Sequence, residues 1–304
     1  MRRLKLVIRG TVATTGLAAV AALASPSVAS LQAPGGFVAT CGGISNTTGA
    51  VAPGGDLEAF FGGDKVCDWQ PFVAGTGSAS ANFAGSGASN GAQGIAGMGA
   101  LQLAAHSVSP NDLPFPYGYA QAGWEDSWVI SAPGLAGSAG IAHAQLSVDA
   151  HWSVSGFAGA AGLALQPYID SAPFTYPGGG GSTQLQSWNA SFFPDGVSQS
   201  VLLVVPFVYG QSFDFGVFVT LRAGLRSVSG VAGMSTADAV AGANWLGLSG
   251  VFAAGMPVVD YTLVSGSGID WAGPVAAIPE PPAWVALAAG LVLLALRLRR
   301  RGRD

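Results

Sequence analysis

The feature that most constrains the fold is a long alternation of apolar and polar side chains over residues 142–155. Every second residue from Ala142 onwards is apolar, and the residues between them are polar. Successive side chains of a β-strand point to opposite faces, so this pattern predicts a strand with one buried and one solvent-facing side. Nowhere between Ser30 and Ile278 is a helical period sustained. An antiparallel sheet is therefore the predicted scaffold.

Other segments follow the same rule. Residues 213–226 alternate in the same way, with Phe218 as the exception. The apolar run 201–209 contains Pro206, which lacks a backbone donor and favours an edge strand or a bulge. Shorter predicted strands are 99–108, 120–130, 244–251 and 260–265.

Turn-forming residues separate these strands, which favours an all-β fold, an antiparallel β-sandwich or jelly-roll-like ectodomain over residues 30–277. The Gly-rich run 177–182 is a loop within one domain or a linker between two halves. We favour one domain, because both flanks carry the same strand pattern. The Gly/Ala/Ser-rich stretch 75–99 either lets strands approach closely or is flexible.

The first 29 residues have the order of a secretory signal. Residues 1–9 are basic, residues 11–24 are uncharged and apolar, and small residues follow. This order predicts a signal helix that is cleaved after Ala29, which leaves Ser30 at the new amino terminus. The apolar run is too short for the roughly 20 residues of a membrane-spanning helix, so a permanent anchor is disfavoured.

The last residues form a second membrane signal. Pro279, Glu280 and Pro281 precede an uncharged stretch of 14 residues, 283–296. A basic cluster after an apolar segment holds that end in the cytoplasm and leaves the body outside. The apolar stretch predicts a short helix that crosses the inner membrane only transiently. The stop-transfer cluster consists of Arg297, Arg299, Arg300, Arg301 and Arg303.

The order of Pro-Glu-Pro, short apolar helix and Arg cluster over residues 278–304 resembles the PEP-CTERM sorting signal. That resemblance implies processing near Pro279–Pro281 by an exosortase, a membrane cysteine protease-transferase. It also implies a Gram-negative host, a destination in the outer envelope or extracellular matrix, and association with exopolysaccharide and biofilm. Residues 241–271 further resemble the last strands of many such ectodomains. This second resemblance supports a β-fold and points to no catalytic or binding residue.

Charge excludes one class of partner. Residues 30–277 hold 14 acidic residues but only Lys65, Arg222 and Arg226 as basic ones. Such a body repels phosphate backbones, so nucleic acid is not an expected partner.

Two cysteines, Cys41 and Cys67, are an even number in a chain predicted to be exported, so we expect a disulfide between them. Four acidic residues lie in or next to the loop between the two cysteines: Asp56, Glu58, Asp64 and Asp68. Their carboxylates either bind calcium or are simply solvated, and the solvated loop is the favoured interpretation because no EF-hand spacing is present.

The sequence offers few groups for catalysis. Asp149 and His151 are close enough on one strand to meet, but His143 is too distant to share a metal with them. His106 reaches them only from a neighbouring strand. Residues 87–91 match a nucleophile elbow, yet a Gly- and Ser-rich chain produces such matches by chance. We therefore expect no enzyme activity, metal or cofactor.

Trp124 and Trp128 lie on the same side of a predicted strand. They are either a core pair or an exposed pair that stacks on sugar rings, and the core interpretation is favoured.

The leading functional hypothesis is a structural surface or matrix protein. The alternative is a surface carbohydrate-binding module that uses this pair, and the third is a hydrolase on a β-scaffold.

Overall fold

The computed structural model describes residues 35–44, 63–73, 75–110, 113, 115–156, 159–169, 172–173, 186–225 and 233–275. Fifteen strands occupy these ranges, and no helix occurs within them. The strands are β1 (Gly35–Ile44), β2 (Lys65–Phe72), β3 (Thr76–Gly85), β4 (Ala88–Gly97), β5 (Ala100–Pro110), β6 (Pro116–Ser131), β7 (Ala139–Ser155), β8 (Gly159–Ile169), β9 (Ala172–Pro173), β10 (Gln186–Asn189), β11 (Val197–Val208), β12 (Ser212–Leu225), β13 (Met234–Ala253), β14 (Met256–Pro257) and β15 (Thr262–Ser265).

The strands form two antiparallel sheets that pack face to face. Sheet A has eight strands in the order β10-β8-β12-β6-β1-β2, with β15 paired to β6 and β9 paired to β8. Sheet B has seven strands in the order β11-β7-β13-β5-β4-β3, with β14 paired to β13. The all-β antiparallel sandwich predicted from the alternation is thereby confirmed.

Strand positions follow the predicted pattern closely. The alternating segment that begins at Ala142 lies within β7, and β11, which contains Pro206, is an edge strand of sheet B. The stretch 75–99 forms the β3–β4 hairpin, whose turn places Ser86 and Gly87 at positive φ. The strand predicted at 244–251 is longer in the structure: β13 begins at Met234 and continues through bulges near Gly247.

Strands that precede and follow residues 174–185 are interleaved in both sheets. In sheet A, β12 lies between β8 and β6, and in sheet B, β13 lies between β7 and β5. The two halves of the chain therefore share one core. The Gly-rich run 177–182 and both predicted terminal helices lie outside the described residues.

Small residues let the two sheets approach closely where β1 and β6 cross β4. A Cβ atom on Gly118 would lie 2.1 Å from the backbone oxygen of Gly91, so only glycine fits there. Asn90 in β4 is completely buried, and its amide donates to the backbone oxygen of Gly43 at 3.0 Å. The Ser107 hydroxyl donates to the Asn90 side-chain oxygen at 2.8 Å. Asn90 thereby links the two sheets with its own polar atoms satisfied.

Large aromatic side chains fill another part of the core. Trp124, Trp128, Trp245 and Trp271 are each 0% exposed. Trp271 stacks on Trp124 with 4.5 Å between ring centroids, and Trp245 meets Trp124 edge to face at 5.7 Å. We call these four side chains the tryptophan cluster. Because Trp271 follows the last strand, the cluster fixes the segment after β15 against both sheets.

A buried carboxylate holds the same segment in place. Asp126 in β6 accepts a hydrogen bond from the Trp271 indole at 2.6 Å and another from the Ser267 backbone N–H at 3.0 Å. The Ser267 hydroxyl donates to Asp126 Oδ2, the same oxygen that accepts the Trp271 indole N–H. The Trp245 indole in turn donates to the backbone oxygen of Trp271 at 2.9 Å. These bonds to a charged acceptor replace the water that Asp126 loses on burial.

Truncation of Trp271 to alanine is expected to lower the free energy of unfolding by about 3–5 kcal/mol, because it leaves a large cavity and removes one donor from Asp126. Urea unfolding followed by circular dichroism measures this loss. Phe192, which is 80% exposed, provides the control, and Phe192→Ala should change the free energy by no more than about 0.5 kcal/mol. Equal effects of the two substitutions would contradict the role given to Trp271.

Candidate functional site

The tryptophan pair considered for sugar stacking lies in the core. Trp124 and Trp128 are both 0% exposed, and both belong to the tryptophan cluster. Their side of β6 faces sheet B because the adjacent strands β1 and β12 place their apolar side chains there. The favoured interpretation of a core pair is therefore correct, and the alternative of an exposed stacking pair is wrong.

Several predicted sites lie outside the described residues. They include the signal cleavage point at Ala29 and Ser30, the sorting motif Pro279–Pro281 and the Arg297–Arg303 basic cluster. Asp56 and Glu58 of the candidate calcium set lie outside as well.

Cys41 and Cys67 form the predicted disulfide. They occupy directly opposite positions of β1 and β2, with their Cα atoms 4.2 Å apart. Asp68, the next residue, accepts a hydrogen bond from the backbone N–H of Ser80 at 3.0 Å and so satisfies a donor of the edge strand β3. Within the described ranges, His, Cys, Asp and Glu form no group of three that is suitable for a metal ion.

The histidines lie on the outer face of sheet B, the face turned away from sheet A. As predicted, Asp149 and His151 meet, with 3.0 Å between the carboxylate and the imidazole, and both side chains are more than half exposed. An exposed pair of this kind contributes little to stability. His143 packs instead on the ring of Phe252 at 4.5 Å, farther along β7. His106 lies on β5, opposite Asp238 of β13.

The sequence that resembles a nucleophile elbow is part of a hairpin. Gly87 belongs to the β3–β4 turn, and Ser89 lies on β4, which continues as a strand instead of leading into a helix. Asn90 is buried in the hydrogen-bond network described above. The structural context of an elbow, a strand followed by a helix, is therefore missing at this position.

The outer face of sheet B contains a shallow cleft with a volume of about 780 Å³, which we call the sheet-B cleft. It crosses β3, β4, β5, β13 and β7 at the middle of the sheet. Its polar lining consists of Asp68, Ser78, Ser80, Gln93, Gln102, Asp149 and Asn244. Side-chain amides, hydroxyls and carboxylates thus converge on one surface.

Strand register explains this convergence. Ile95, Gln102, Gly242 and Asp149 are successive Cα partners across β4, β5, β13 and β7, so their side chains share the outer face. Two residues farther along, Gln93, Ala104 and Val240 form the next row. The rows alternate polar groups with very small or apolar ones.

A second depression of about 370 Å³ continues the cleft along the same strands. The two share Gln93, Ala104 and Val240, and the second extends to His106 and Asp238. Asp68, Asp149 and Asp238 supply carboxylates, whereas neither Lys nor Arg is among the described residues that line the two depressions.

Sequence reasoning missed Gln93, Gln102 and Asn244, the amide residues of the sheet-B cleft. Gln93 lies in the Gly/Ala/Ser-rich stretch 75–99, and the other two lie in short predicted strands. A usable signal was present, because Gln102, Ala104 and His106 alternate with the buried Leu101, Leu103 and Ala105. The alternation does not show which strands are neighbours in the sheet. The order of the strands determines which polar residues lie next to one another.

Buried tyrosines on the other sheet have shifted acidities. Burial raises the pKa of Tyr119 in β6 above its ordinary value, and a hydrogen bond from Thr220 and the charge of Arg222 offset this only in part. Burial also raises the pKa of Tyr117. Both side chains point to the outer face of sheet A, away from the sheet-B cleft.

The chain matches no known family model, and no curated protein or solved structure is detectably similar to it. A search of the described residues found no helix that is long and apolar enough to cross a membrane.

Alkaline pH is expected to destabilise the protein. Tyrosines of the unfolded chain ionise near pH 10, whereas burial keeps Tyr119 protonated in the folded protein to a higher pH. The contribution of Tyr119 to the free energy of unfolding is therefore complete below about pH 10 and is lost as the pH rises further. Tyr119→Phe should therefore reduce the slope of unfolding free energy against pH above 10. Urea unfolding across this range measures the slope, and an unchanged slope would contradict the argument.

Proposed function

We propose that the protein is a non-catalytic surface or matrix protein. It is exported through the inner membrane, trimmed at both ends and associated with exopolysaccharide in the outer envelope or biofilm of a Gram-negative bacterium. The observation that carries the proposal is that Trp271 and Val275 pack against the core ahead of the Pro-Glu-Pro motif, which begins at Pro279.

This arrangement suits a removable carboxyl-terminal signal. Trp271 is held by the tryptophan cluster and by Asp126, and Val275 packs against the same core. Cleavage near Pro279 by an exosortase would therefore leave every one of these contacts intact.

The Cys41–Cys67 disulfide supports an extracytoplasmic location, because disulfides form and persist in oxidising compartments. The amino-terminal order of basic, apolar and small residues supports export by the same route. Together they support a position of the sandwich on the outer side of the inner membrane. The apolar stretch 283–296 then holds the chain only until it is processed.

The chemistry of the sheet-B cleft supports binding as its role. Gln93, Gln102 and Asn244 supply amides, groups that donate and accept hydrogen bonds but do not transfer protons near neutral pH. Polyhydroxylated polymers are suitable partners for such groups. This chemistry agrees with the exopolysaccharide association that the sorting signal implies.

Intact-mass and terminal analysis of the protein recovered from the surface or medium of its host tests the proposal. We expect a chain that begins at Ser30 and lacks the residues beyond the Pro279–Pro281 region. In a host whose exosortase is deleted, the Arg297–Arg303 cluster should be retained and the protein should stay in the membrane fraction.

Glu280→Ala is the matched variant, because it alters the motif and leaves the described residues unchanged. It should slow the removal of the tail while the melting temperature stays that of the unaltered protein. Recovery of the surface protein with its Arg-rich tail, in the presence of the exosortase, would overturn the proposal.

A further inference from the structure

We propose that the sheet-B cleft binds a neutral polysaccharide chain along the direction of strands β4, β5 and β13. This inference rests on the proposed function and deepens it, because it names the binding surface and the chemical class of the glycan. It replaces the tryptophan pair, which is buried, with a polar surface on the opposite sheet.

The dimensions of the cleft suit an extended polymer. The cleft and its continuation reach from the row of Asn244 to the row of Asp238 on β13. Six residue steps of a strand span about 20 Å. A groove of that length accommodates several consecutive sugar units, whereas a compact metabolite would leave most of it empty.

The polar lining matches sugar hydroxyls. Gln102 and Asn244 lie on the adjacent strands β5 and β13, and Gln93 lies on β4 beside them. Each side-chain amide presents a donor and an acceptor, and neighbouring hydroxyls of a sugar ring offer the complementary pair. Asp149 adds an acceptor at the β7 side, and a carboxylate forms stronger hydrogen bonds than a neutral acceptor.

Between these amides, the floor of the cleft consists of small and apolar residues. Gly242 and Ala104 have little or no side chain, so a sugar ring can approach the backbone of the sheet. Ile95 and Val240 offer apolar surface to the C–H faces of the ring, and Val240 is 51% exposed. Burial of this surface by a ligand is favourable.

The charge of the cleft selects against acidic glycans. Asp68, Asp149 and Asp238 line the cleft and its continuation. Among the described residues, the basic side chains beside these carboxylates are histidines: His106 in the lining, and His151, which pairs with Asp149. A uronic acid or sulfated polymer would bring negative charge towards these carboxylates, and like charges repel. Neutral sugars avoid this cost.

Affinity electrophoresis of the mature protein, recovered from its host, tests the proposal. The gels contain the neutral fraction of the host's own exopolysaccharide, the neutral glucans laminarin and dextran, or the acidic polymer alginate. We expect retardation by at least one neutral polymer and none by alginate. The double variant Gln102→Ala/Asn244→Ala should bind about tenfold more weakly, because it loses the hydrogen bonds of two amides.

Gly242→Ile provides a variant that fills the cleft without disturbing the fold. A Cβ atom at Gly242 would have its nearest neighbour, the backbone oxygen of Leu101, at 3.7 Å, which is ordinary contact. A β-branched residue also suits a strand better than glycine. We expect binding to be abolished while the melting temperature is unchanged or higher. Gly273→Ile, where a Cβ meets nothing within 4 Å, is the control outside the cleft.

The outcomes separate this inference from the proposed function. Retardation of the unaltered protein that persists in Gly242→Ile would overturn the cleft as the binding surface and leave the surface-protein proposal standing. Stronger binding to alginate than to the neutral polymers would overturn the neutral-glycan assignment. Absence of binding to every neutral polymer would overturn the inference, whereas correct trimming of both termini would still support the proposed function.

Discussion

The hydrogen bonds and ring contacts that hold Trp271 are the interaction on which the rest of the fold depends. Asp126 and Trp245 bind the indole and the backbone of Trp271 from the two different sheets, so this one residue links the sheets and fixes the segment after β15. A buried carboxylate is costly unless it is fully hydrogen-bonded, and three donors satisfy Asp126.

The large aromatic residues of the tryptophan cluster lie inside, whereas the outer face of sheet B over β3, β4 and β5 carries mostly small and polar residues. Gly91 of β4 packs closely on Gly118 of sheet A, and Ala104 and Gly242 form part of the floor of the sheet-B cleft. The amides of Gln93 and Gln102 line the cleft beside them. Close packing of the sheets and a polar outer cleft thus follow from one pattern, in which each strand has an inner and an outer face.

The strands and the sandwich were predictable because alternation is a local property, readable in 142–155 without knowledge of any neighbour. The disulfide was also predictable, since Cys41 had only one possible partner. The sheet-B cleft was not, because its residues come from six strands, including β2 of sheet A, whose order depends on long-range pairing. Trp124 shows the related limit: spacing places it on one face of a strand, but only packing shows that this face is the inner one.

Nuclear magnetic resonance of the isotope-labelled mature protein, titrated with the neutral glycan that retards it, tests the account most directly. The account predicts shifts in the side-chain amide resonances of Gln93, Gln102 and Asn244, while the indole resonances of Trp124 and Trp128 stay unchanged. Shifts of those indole resonances without any change at the three amides would contradict it, because the buried cluster and not the polar face of sheet B would then respond to the glycan.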